Sequence, residues 1–166
     1  DRDVTETPVG FKFIAEKRVK EDVLIGGEES GGIGLKNHIP DRDGILCSLL
    51  LIEMVAQSGK QPTELVDDMM EEFGGHYYLR NDIHLEARKE VEKKSTEDPP
   101  KRLGSREVKN VERTDGVKLR FEDGWLLIRA SGTEPLLRLY CEMDEPGKVD
   151  QVLSEAEQYA RNLAGE

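Results

Sequence analysis

The chain has 166 residues, with 36% apolar residues, 36% charged residues and a formal net charge of −11. This acidic balance disfavours sequence-independent nucleic-acid binding, which depends on lysine and arginine contacts to phosphates. No apolar run approaches the roughly 20 residues of a membrane span, and no signal-peptide pattern occurs. We therefore expect neither nucleic acid nor membrane as a partner, and any anion site must be a local basic pocket.

The two cysteines, Cys47 and Cys141, lie in apolar runs. Two buried thiols in a reducing compartment are the simplest interpretation, so we expect a cytoplasmic location. Zinc is disfavoured because no cluster of cysteine and histidine occurs. The chain begins at Asp1 and opens directly into a predicted strand and helix, so we expect it to be part of a longer protein.

The first half of the chain mixes strand and helix signals. "DVTETPVGFKFIAEK" predicts a strand followed by a helix, and residues 23–25 predict a strand that enters the GEESGG loop, residues 27–32. "GIGLKNHIPDRDG" predicts a further strand and loop. Residues 44–57 are apolar almost all round and predict a buried helix. Pro62 predicts the start of another helix, with apolar residues at helical spacing up to Phe73, before Gly74-Gly75.

The second half has the alternation and turns of an antiparallel sheet. "HYYLRNDIHL" and "LLRLYCEM" predict strands, "EARKEVEKKS" a polar helix and "TEDPPKRLGSRE" a loop. Residues 122–124, Glu-Asp-Gly, predict a hairpin between "VKLRF" and "WLLIR". An amphipathic helix follows Pro146. We therefore predict a region of mixed α/β structure in residues 1–75 and, in residues 76–166, an α+β domain with helices on one side of an antiparallel sheet.

The RASGTEP loop, residues 129–135, is the first candidate site. A phosphate needs charge-assisted donors and backbone amides that it can approach. Arg129 offers a fork-shaped cation, Ser131 and Thr133 offer hydroxyls, and Gly132 leaves the backbone open. Along the predicted strand, the Arg138 side chain lies on the opposite face from those of its apolar neighbours, so it should point away from their core. From the residues alone, a solvated turn with surface arginines is the simpler interpretation.

The GEESGG loop is the second candidate. Its acidic residues are poor phosphate ligands but good acceptors for sugar hydroxyls. Glu28 and Ser30 lie two residues apart, so in an extended segment they can point the same way. A flexible turn is the alternative.

Two further charged stretches have simple structural interpretations. "HIPDRDG" lacks the additional carboxylates of a calcium loop, so we predict a helix-entry turn capped by Asp43, with Arg42 considered separately. Lys12 stands between Phe11 and Phe13, and taken alone it is a solvated lysine at a strand end.

The order of these stretches is more specific than any one of them. "TPVGFKFI", "GGEESGG", "HIPDRDGI" and "RASGTEPLLRLYCE" together resemble the α-D-phosphohexomutase family, in particular its phosphoglucomutase and phosphomannomutase members. The resemblance covers nearly the whole chain and favours binding loops over plain turns. It implies that residues 1–75 are the end of the third of four domains. Residues 76–166 would be the complete fourth domain, which has a TATA-binding-protein-like fold.

The resemblance also implies a role for each candidate residue. Glu28 and Ser30 would bind the 3- and 4-hydroxyls of a hexose. The phosphate that is not reacting would be held by Arg129, Ser131, Gly132 and Thr133. Basic family positions that face the active-site cleft match Lys12 and Arg42, while Arg138 would support the loop.

Family members interconvert hexose 1-phosphate and 6-phosphate through a phosphoserine and a bisphosphate such as glucose 1,6-bisphosphate. Their serine lies in a Ser-His loop and their Mg²⁺ in an Asp-x-Asp-x-Asp loop, both in earlier domains, and neither motif occurs in this sequence. The resemblance therefore implies a chain with no catalytic residue and no metal ligand of its own, inactive without the missing N-terminal domains of the same protein.

The substrate is less constrained than the family. Several mannomutase-type and glucosamine-type members end the sugar loop in histidine, whereas this chain has Gly32. This favours a hexose phosphate of the glucose series. Alternatives are a phosphomannomutase, a phosphoglucosamine mutase, a non-catalytic phosphosugar-binding module, or a structural lid whose loops are incidental.

Overall fold

The computed structural model describes residues 3–166, and the chain divides into two compact units, one up to Asp68 and one from Met69 onwards. The helices are α1 (Phe11–Lys20), α2 (Gly44–Ser58), α3 (Pro62–Phe73), α4 (Arg88–Glu97) and α5 (Pro146–Ala164). The strands are β1 (Ile25–Gly27), β2 (Ile33–Leu35), β3 (Tyr77–His84), β4 (Arg102–Leu103), β5 (Arg106–Glu107), β6 (Asn110–Glu112), β7 (Val117–Arg120), β8 (Gly124–Ala130) and β9 (Leu136–Met143). The division falls within α3, while the domain boundary that we place after Gly75 stays a prediction.

In the first unit, α1 packs on the β1–β2 hairpin. The two strands pair antiparallel, with Gly26 directly opposite Gly34. A Cβ atom on Gly26 would overlap the Ile14 side chain, and one on Gly34 would lie 2.9 Å from the Phe11 ring. Phe11 and Ile14 lie one turn apart and are the buried residues of α1. The glycine pair therefore leaves the space that this helix face occupies.

The start of the chain differs from the prediction. Residues 3–10 form no strand, because no described strand pairs with them, and a strand persists through its ladder of hydrogen bonds. Lys12, which we expected at a strand end, is an exposed residue in the first turn of α1. Its Nζ lies 4.8 Å from the centroid of the Phe13 ring, a cation–π contact.

Helix α2 forms as predicted, but its predicted burial is wrong. None of its residues is buried, and Ile45 and Ile52 are 78% and 65% exposed. Within residues 3–166, no helix combines the length and apolar character needed to cross a membrane. A helix that is apolar all round is typical of one enclosed by other elements. The elements of its own unit do not enclose α2, so the pattern predicted the helix but not its surroundings.

In the second unit, five antiparallel strands form a sheet in the order β3–β9–β8–β7–β6. The predicted hairpin is confirmed, because β7 pairs with β8 and Phe121 N–H donates to the Gly124 carbonyl oxygen at 2.8 Å. The RASGTEP loop joins β8 to β9, two interior strands. Arg129 of β8 therefore lies directly opposite Arg138 of β9.

A hydrophobic core lies between one face of this sheet and helices α4 and α5, which confirms the predicted α+β arrangement. Its strand and helix residues include Leu126, Ile128, Leu137, Leu139, Met143, Val91, Val149, Val152 and Ala156, each 0% or 1% exposed. Leu79, which has the same strand parity as the buried Ile83, is 47% exposed. It lies on β3, at the edge of the sheet, where packing is incomplete.

Two smaller features also differ from prediction. Residues 96–107, predicted as a loop, contain the short β4–β5 hairpin, whose Leu103 is buried in the core. Cys141 is fully buried, and burial raises the pKa of its thiol to about 12. Cys47 is only half-buried, and its Sγ donates to the Ile33 carbonyl oxygen at 3.6 Å. The prediction of two buried thiols is therefore correct for Cys141 alone.

Candidate functional site

The GEESGG loop is the turn of the β1–β2 hairpin. Glu28 N–H donates to the Gly32 carbonyl oxygen at 2.9 Å, and Gly31 N–H donates to the Glu28 carbonyl oxygen at 3.0 Å. Gly31 has a φ of +88°, which suits glycine. The segment is therefore a tight turn. The prediction that Glu28 and Ser30 point the same way because the segment is extended is wrong. Ser30 is exposed at the tip of the turn.

The structure brings two predicted site residues of the first unit together. Arg42 Nη1 lies 2.9 Å from Glu28 Oε2, and the Glu28 side chain is only 12% exposed. The Arg42 guanidinium also lies 5.7 Å from the centre of the Phe11 ring. A Cβ atom on Gly32 would stand 3.0 Å from Glu28 Oε2 and 3.2 Å from Arg42 Cδ. Any larger residue at position 32 would therefore have to displace this charged pair.

The carboxylates of "HIPDRDG" are engaged in local hydrogen bonds. Asp43 accepts the N–H groups of Ile45 and Leu46 at 3.0 Å each, which confirms it as the N-cap of α2. The Leu46 hydrogen bond and that of His38 hold the Asp43 pKa below its usual value. Within residues 3–166, no cluster of three or more histidine, cysteine or acidic side chains could hold a metal ion. The described residues therefore do not fit a magnesium site.

Arg18 of α1 is a structural residue that the sequence reasoning missed. Its guanidinium donates to the carbonyl oxygens of Ile39 at 2.8 Å and Asp41 at 3.2 Å, and also to that of Leu35. These contacts hold the segment that leads to Arg42. Only the packing of α1 on the hairpin brings the guanidinium to these carbonyl groups, so no local pattern indicates them.

The RASGTEP loop is held by its own backbone and by Ser131. Ser131 N–H donates to the Leu136 carbonyl oxygen at 2.8 Å, and the Ser131 hydroxyl oxygen accepts Glu134 N–H at 3.2 Å. Ser131 is 3% exposed. Since a hydroxyl that accepts one hydrogen bond still has its proton to donate, Ser131 retains a donor for a ligand.

The tip of this loop presents two consecutive amides. Gly132 and Thr133 are both exposed, and among the described residues neither backbone N–H donates an internal hydrogen bond. A Cβ atom on Gly132 would meet nothing within 4 Å. Consecutive free N–H groups form a concave donor site for an anion. Two consecutive backbone amides of the predicted loop are therefore free to donate to a ligand.

Arg129 is the cation at the start of the same loop. Its Nε lies 3.1 Å from Asp115 Oδ2, and its side chain is 21% exposed. Burial alone would lower the pKa of Arg129, but Asp115 and Tyr140 together raise it above its ordinary value. Arg129 therefore stays charged, as an anion site requires.

Arg138 is turned towards acidic partners. It donates to Glu134, inside the RASGTEP loop, at 2.9 Å, and it lies 3.9 Å from Asp82 of β3. The like charges of Arg129 and Arg138, which face each other across the strands, are therefore each matched by a carboxylate.

Glu92 of α4 is a further acidic neighbour that sequence reasoning missed. Ala130 N–H donates to its carboxylate, but burial, the largest influence, raises the Glu92 pKa, and the charge of Asp115 adds to this rise. Because the pKa of Glu92 is raised in the folded state, the protonated carboxyl stabilises the fold below its unfolded-state pKa of about 4.3. This contribution to stability is lost as the pH rises through the folded-state pKa. At neutral pH the ionised Glu92 is thus a cost.

Glu92→Gln is expected to raise the free energy of unfolding at pH 7 by up to about 1 kcal/mol, a limit set by solvent screening of a half-exposed group. The amide oxygen of glutamine still accepts the Ala130 N–H. The gain should vanish as pH falls below about 4.3. Urea unfolding across this pH range measures it.

Glu90, two residues earlier on α4, provides the control of opposite sign. Its hydrogen bond to Lys94 lowers its pKa, so its contribution to stability is present at neutral pH and lost in acid. Glu90→Gln is therefore expected to lower stability at pH 7 and to have no effect well below its folded pKa. Equal effects of the two substitutions would contradict this account of Glu92.

Comparison with known proteins agrees with an α/β region followed by an α+β domain. Residues 1–73 match the family description "phosphoglucomutase/phosphomannomutase, alpha/beta/alpha domain III", and residues 78–158 match "phosphoglucomutase/phosphomannomutase, C-terminal domain". The chain therefore belongs to the phosphoglucomutase/phosphomannomutase family and corresponds to its third and C-terminal domains.

Individual relatives support the same assignment. A phosphoglucomutase/phosphomannomutase of Thermococcus kodakarensis is 34% identical over 90% of this chain and 31% of its own length. A phosphoglucosamine mutase of Limosilactobacillus fermentum is 31% identical over 95% of this chain and 31% of its own length. A crystal structure from Thermus thermophilus, described provisionally as a phosphomannomutase, superimposes with a TM-score of 0.74, at 41% identity over 93% of this chain and 30% of that one. The chain thus spans about a third of the length of the relatives it matches.

Proposed function

We propose that the chain supplies the sugar-binding and phosphate-binding loops of a phosphohexomutase. The parent enzyme would interconvert hexose 1-phosphate and hexose 6-phosphate through a phosphoserine and a bisphosphate intermediate. The observation that carries the proposal is the pair of free amides, Gly132 and Thr133, on the loop of the family's C-terminal domain that begins with the charged Arg129. These groups would hold the phosphate that is not being transferred.

The GEESGG loop would bind the sugar of a hexose phosphate. Glu28 would accept hydrogen bonds from hydroxyl groups of the hexose, and the Arg42 guanidinium would hold this carboxylate in its orientation. Ser30 is exposed and its hydroxyl can both donate and accept. We retain Lys12 as a basic residue of the same site, although its Nζ contacts Phe13 here. Arg138 would support the phosphate-binding loop through Glu134.

The contribution of this chain to the reaction would be positioning and electrostatics. The bisphosphate intermediate must turn over so that either phosphate can face the phosphoserine. A socket made of backbone amides and one arginine binds any phosphate monoester and does not depend on which carbon carries it. The reactive serine and Mg²⁺ would come from the preceding domains of the parent, which are proposed partners of this chain. Alone, the chain would not convert glucose 1-phosphate.

We favour a glucose phosphate as substrate, because the sugar loop ends in Gly32, where several mannomutase-type and glucosamine-type members of the family carry histidine. A phosphomannomutase or a phosphoglucosamine mutase is the alternative that the names of the relatives keep open. Kinetics of the full-length parent on glucose, mannose and glucosamine 1-phosphates would decide between them. Equal catalytic efficiency on all three substrates would show that Gly32 does not select the sugar.

The test of the binding function is a titration of the chain with glucose 1,6-bisphosphate, followed by the backbone amide resonances. We expect shifts in residues 27–31 and 131–133, with a Kd near a millimolar, about −4 kcal/mol, because most of the parent's site is absent. Unphosphorylated glucose, at the same concentrations, is the control and should leave residues 131–133 unchanged.

Two other outcomes would change the proposal. Shifts confined to residues 131–133 would support a phosphate-binding module without a sugar site. No shift in residues 131–133 at tens of millimolar ligand would contradict the assignment of the RASGTEP loop.

A further inference from the structure

Arg88, the first residue of α4, contacts the phosphate-binding loop from behind. Its Nε donates to the Ser131 carbonyl oxygen at 3.1 Å, and the residue is half-buried. Three residues earlier, Leu85 N–H donates to the Pro135 carbonyl oxygen at 2.9 Å. The segment between β3 and α4 therefore holds both ends of the RASGTEP loop.

The contact to Ser131 fixes the direction of the next amide. In a trans peptide, the carbonyl group and the following N–H point in opposite directions. The described chain contains no cis peptide, so the Ser131–Gly132 peptide is trans. Since the Ser131 carbonyl group is directed at Arg88, Gly132 N–H is directed away from α4, to the open side of the loop.

Within residues 3–166, no second hydrogen bond holds the Ser131 carbonyl oxygen, and Gly132 N–H has no internal acceptor. Gly132 has no side chain, and no atom lies within 4 Å of the position a Cβ would take. Gly132 and Thr133 are exposed, and among the residues described their N–H groups have no internal acceptor. Among the described residues, Arg88 provides the side-chain hydrogen bond to this peptide.

We propose that Arg88 is a positioning residue of the phosphate site, an inference that rests on the proposed function of the RASGTEP loop. Arg88 acts through the Ser131 carbonyl group. Its hydrogen bond holds the Ser131–Gly132 peptide so that Gly132 N–H meets the phosphate oxygen. Without it the peptide rotates among several orientations, and the phosphate must select one, which weakens binding.

Two neutral variants separate the hydrogen bond from the charge. In Arg88→Gln, the side-chain Nε2 stands the same number of bonds from the backbone as arginine Nε, so the donor is kept. In Arg88→Met, a methyl group takes that place and the donor is lost. Lys89→Ala, at the next and exposed residue, removes one positive charge without touching the loop and measures the charge effect alone.

Inorganic phosphate is the probe, added to each folded variant of the whole chain at constant ionic strength, with Kd taken from the Gly132 and Thr133 amide shifts. Arg88→Met is expected to weaken binding by about three- to tenfold, the loss of one hydrogen bond. Arg88→Gln should bind within about twofold of Lys89→Ala. Equal losses in Arg88→Gln and Arg88→Met, or no loss in either, would overturn the inference.

A second measurement needs no variant. The scalar coupling across the hydrogen bond from Arg88 Nε to the Ser131 carbonyl carbon is expected to persist when the chain is saturated with phosphate, and its absence would overturn the role of Arg88. If phosphate leaves Gly132 and Thr133 unshifted in the unsubstituted chain, the proposed function itself fails. If phosphate shifts the Gly132 and Thr133 amides of the unsubstituted chain and Arg88→Met binds phosphate equally well, only the inference about Arg88 is refuted.

Discussion

Arg129→Met is expected to weaken phosphate binding by about tenfold to a hundredfold, since it removes charge-assisted hydrogen bonds that are worth about 1.5–3 kcal/mol each. It should also destabilise the second unit by about 1–3 kcal/mol, because Asp115 loses the partner 3.1 Å away. Glu92, whose pKa is already raised by burial and by Asp115, would also lose the favourable charge of Arg129. Amide-detected phosphate titration and urea unfolding measure the two effects.

A double variant separates these two effects. Asp115→Asn added to Arg129→Met removes the carboxylate that has lost its contact to Arg129, so it should restore part of the lost stability while phosphate binding stays weak. If binding returns together with stability, Arg129 acts only through the fold and is not a phosphate ligand.

Arg138→Met is the matched control, since Arg138 faces Arg129 directly across the two strands. This substitution removes the same charge from a side chain of the same length. Because Arg138 is turned towards Glu134 and Asp82, it should affect phosphate binding by no more than about threefold, through the loop it supports. A loss as large as that of Arg129→Met would show that both arginines bind the ligand.

The elements that local patterns determine could be predicted from the sequence. Glu122-Asp123-Gly124 between two alternating runs gave the β7–β8 hairpin, and the apolar stripe after Pro146 gave α5. The burial of α2 could not be predicted this way, because an apolar residue such as Ile45 has the same pattern whether or not a partner covers it. Lys12 was misplaced because its neighbours, Phe11 and Phe13, suit a strand as well as a helix start.

In the candidate site too, residues within one motif could be predicted, whereas residues brought together by the tertiary fold could not. The RASGTEP loop and Arg129 are contiguous in sequence, so a motif could indicate them. Arg88 lies 43 residues before the Ser131 carbonyl group that it contacts. Asp115 meets Arg129 only because β7 pairs with β8. These residues are charged and common in type, and only the tertiary fold selects them from the other charged residues of the chain.

The last prediction compares alanine substitutions at two glycines of the second unit, Gly116 and Gly132. The substitution should lower stability at Gly116, whereas at Gly132 it should weaken phosphate binding and leave stability intact. Gly116 has a φ of +76°, and a Cβ there would overlap the Ile128 carbonyl oxygen and lie 3.2 Å from Arg129 Cα. Gly116→Ala should therefore destabilise the chain by about 2–4 kcal/mol, from the left-handed backbone and the contact with a backbone atom that cannot move away.

Gly132→Ala is expected to leave the free energy of unfolding unchanged or to raise it by up to about 1 kcal/mol, because a Cβ at Gly132 meets no atom within 4 Å. The same methyl group would stand beside the free amides of the loop, where a phosphate must approach. Binding of inorganic phosphate should weaken by about fivefold or more, the loss of about one hydrogen bond. Urea unfolding and amide titration give the two quantities on one sample.

Gly147→Ala controls for the substitution itself, since a Cβ on Gly147 in the first turn of α5 also meets nothing within 4 Å. It should change neither phosphate binding nor, beyond the usual gain of alanine in a helix, stability. Wild-type affinity in Gly132→Ala would mean that no phosphate approaches this backbone, and the RASGTEP loop would then be an ordinary turn. Weak affinity in Gly132→Ala with intact stability would instead indicate that Gly132 is retained for the ligand, because the fold itself tolerates a side chain there.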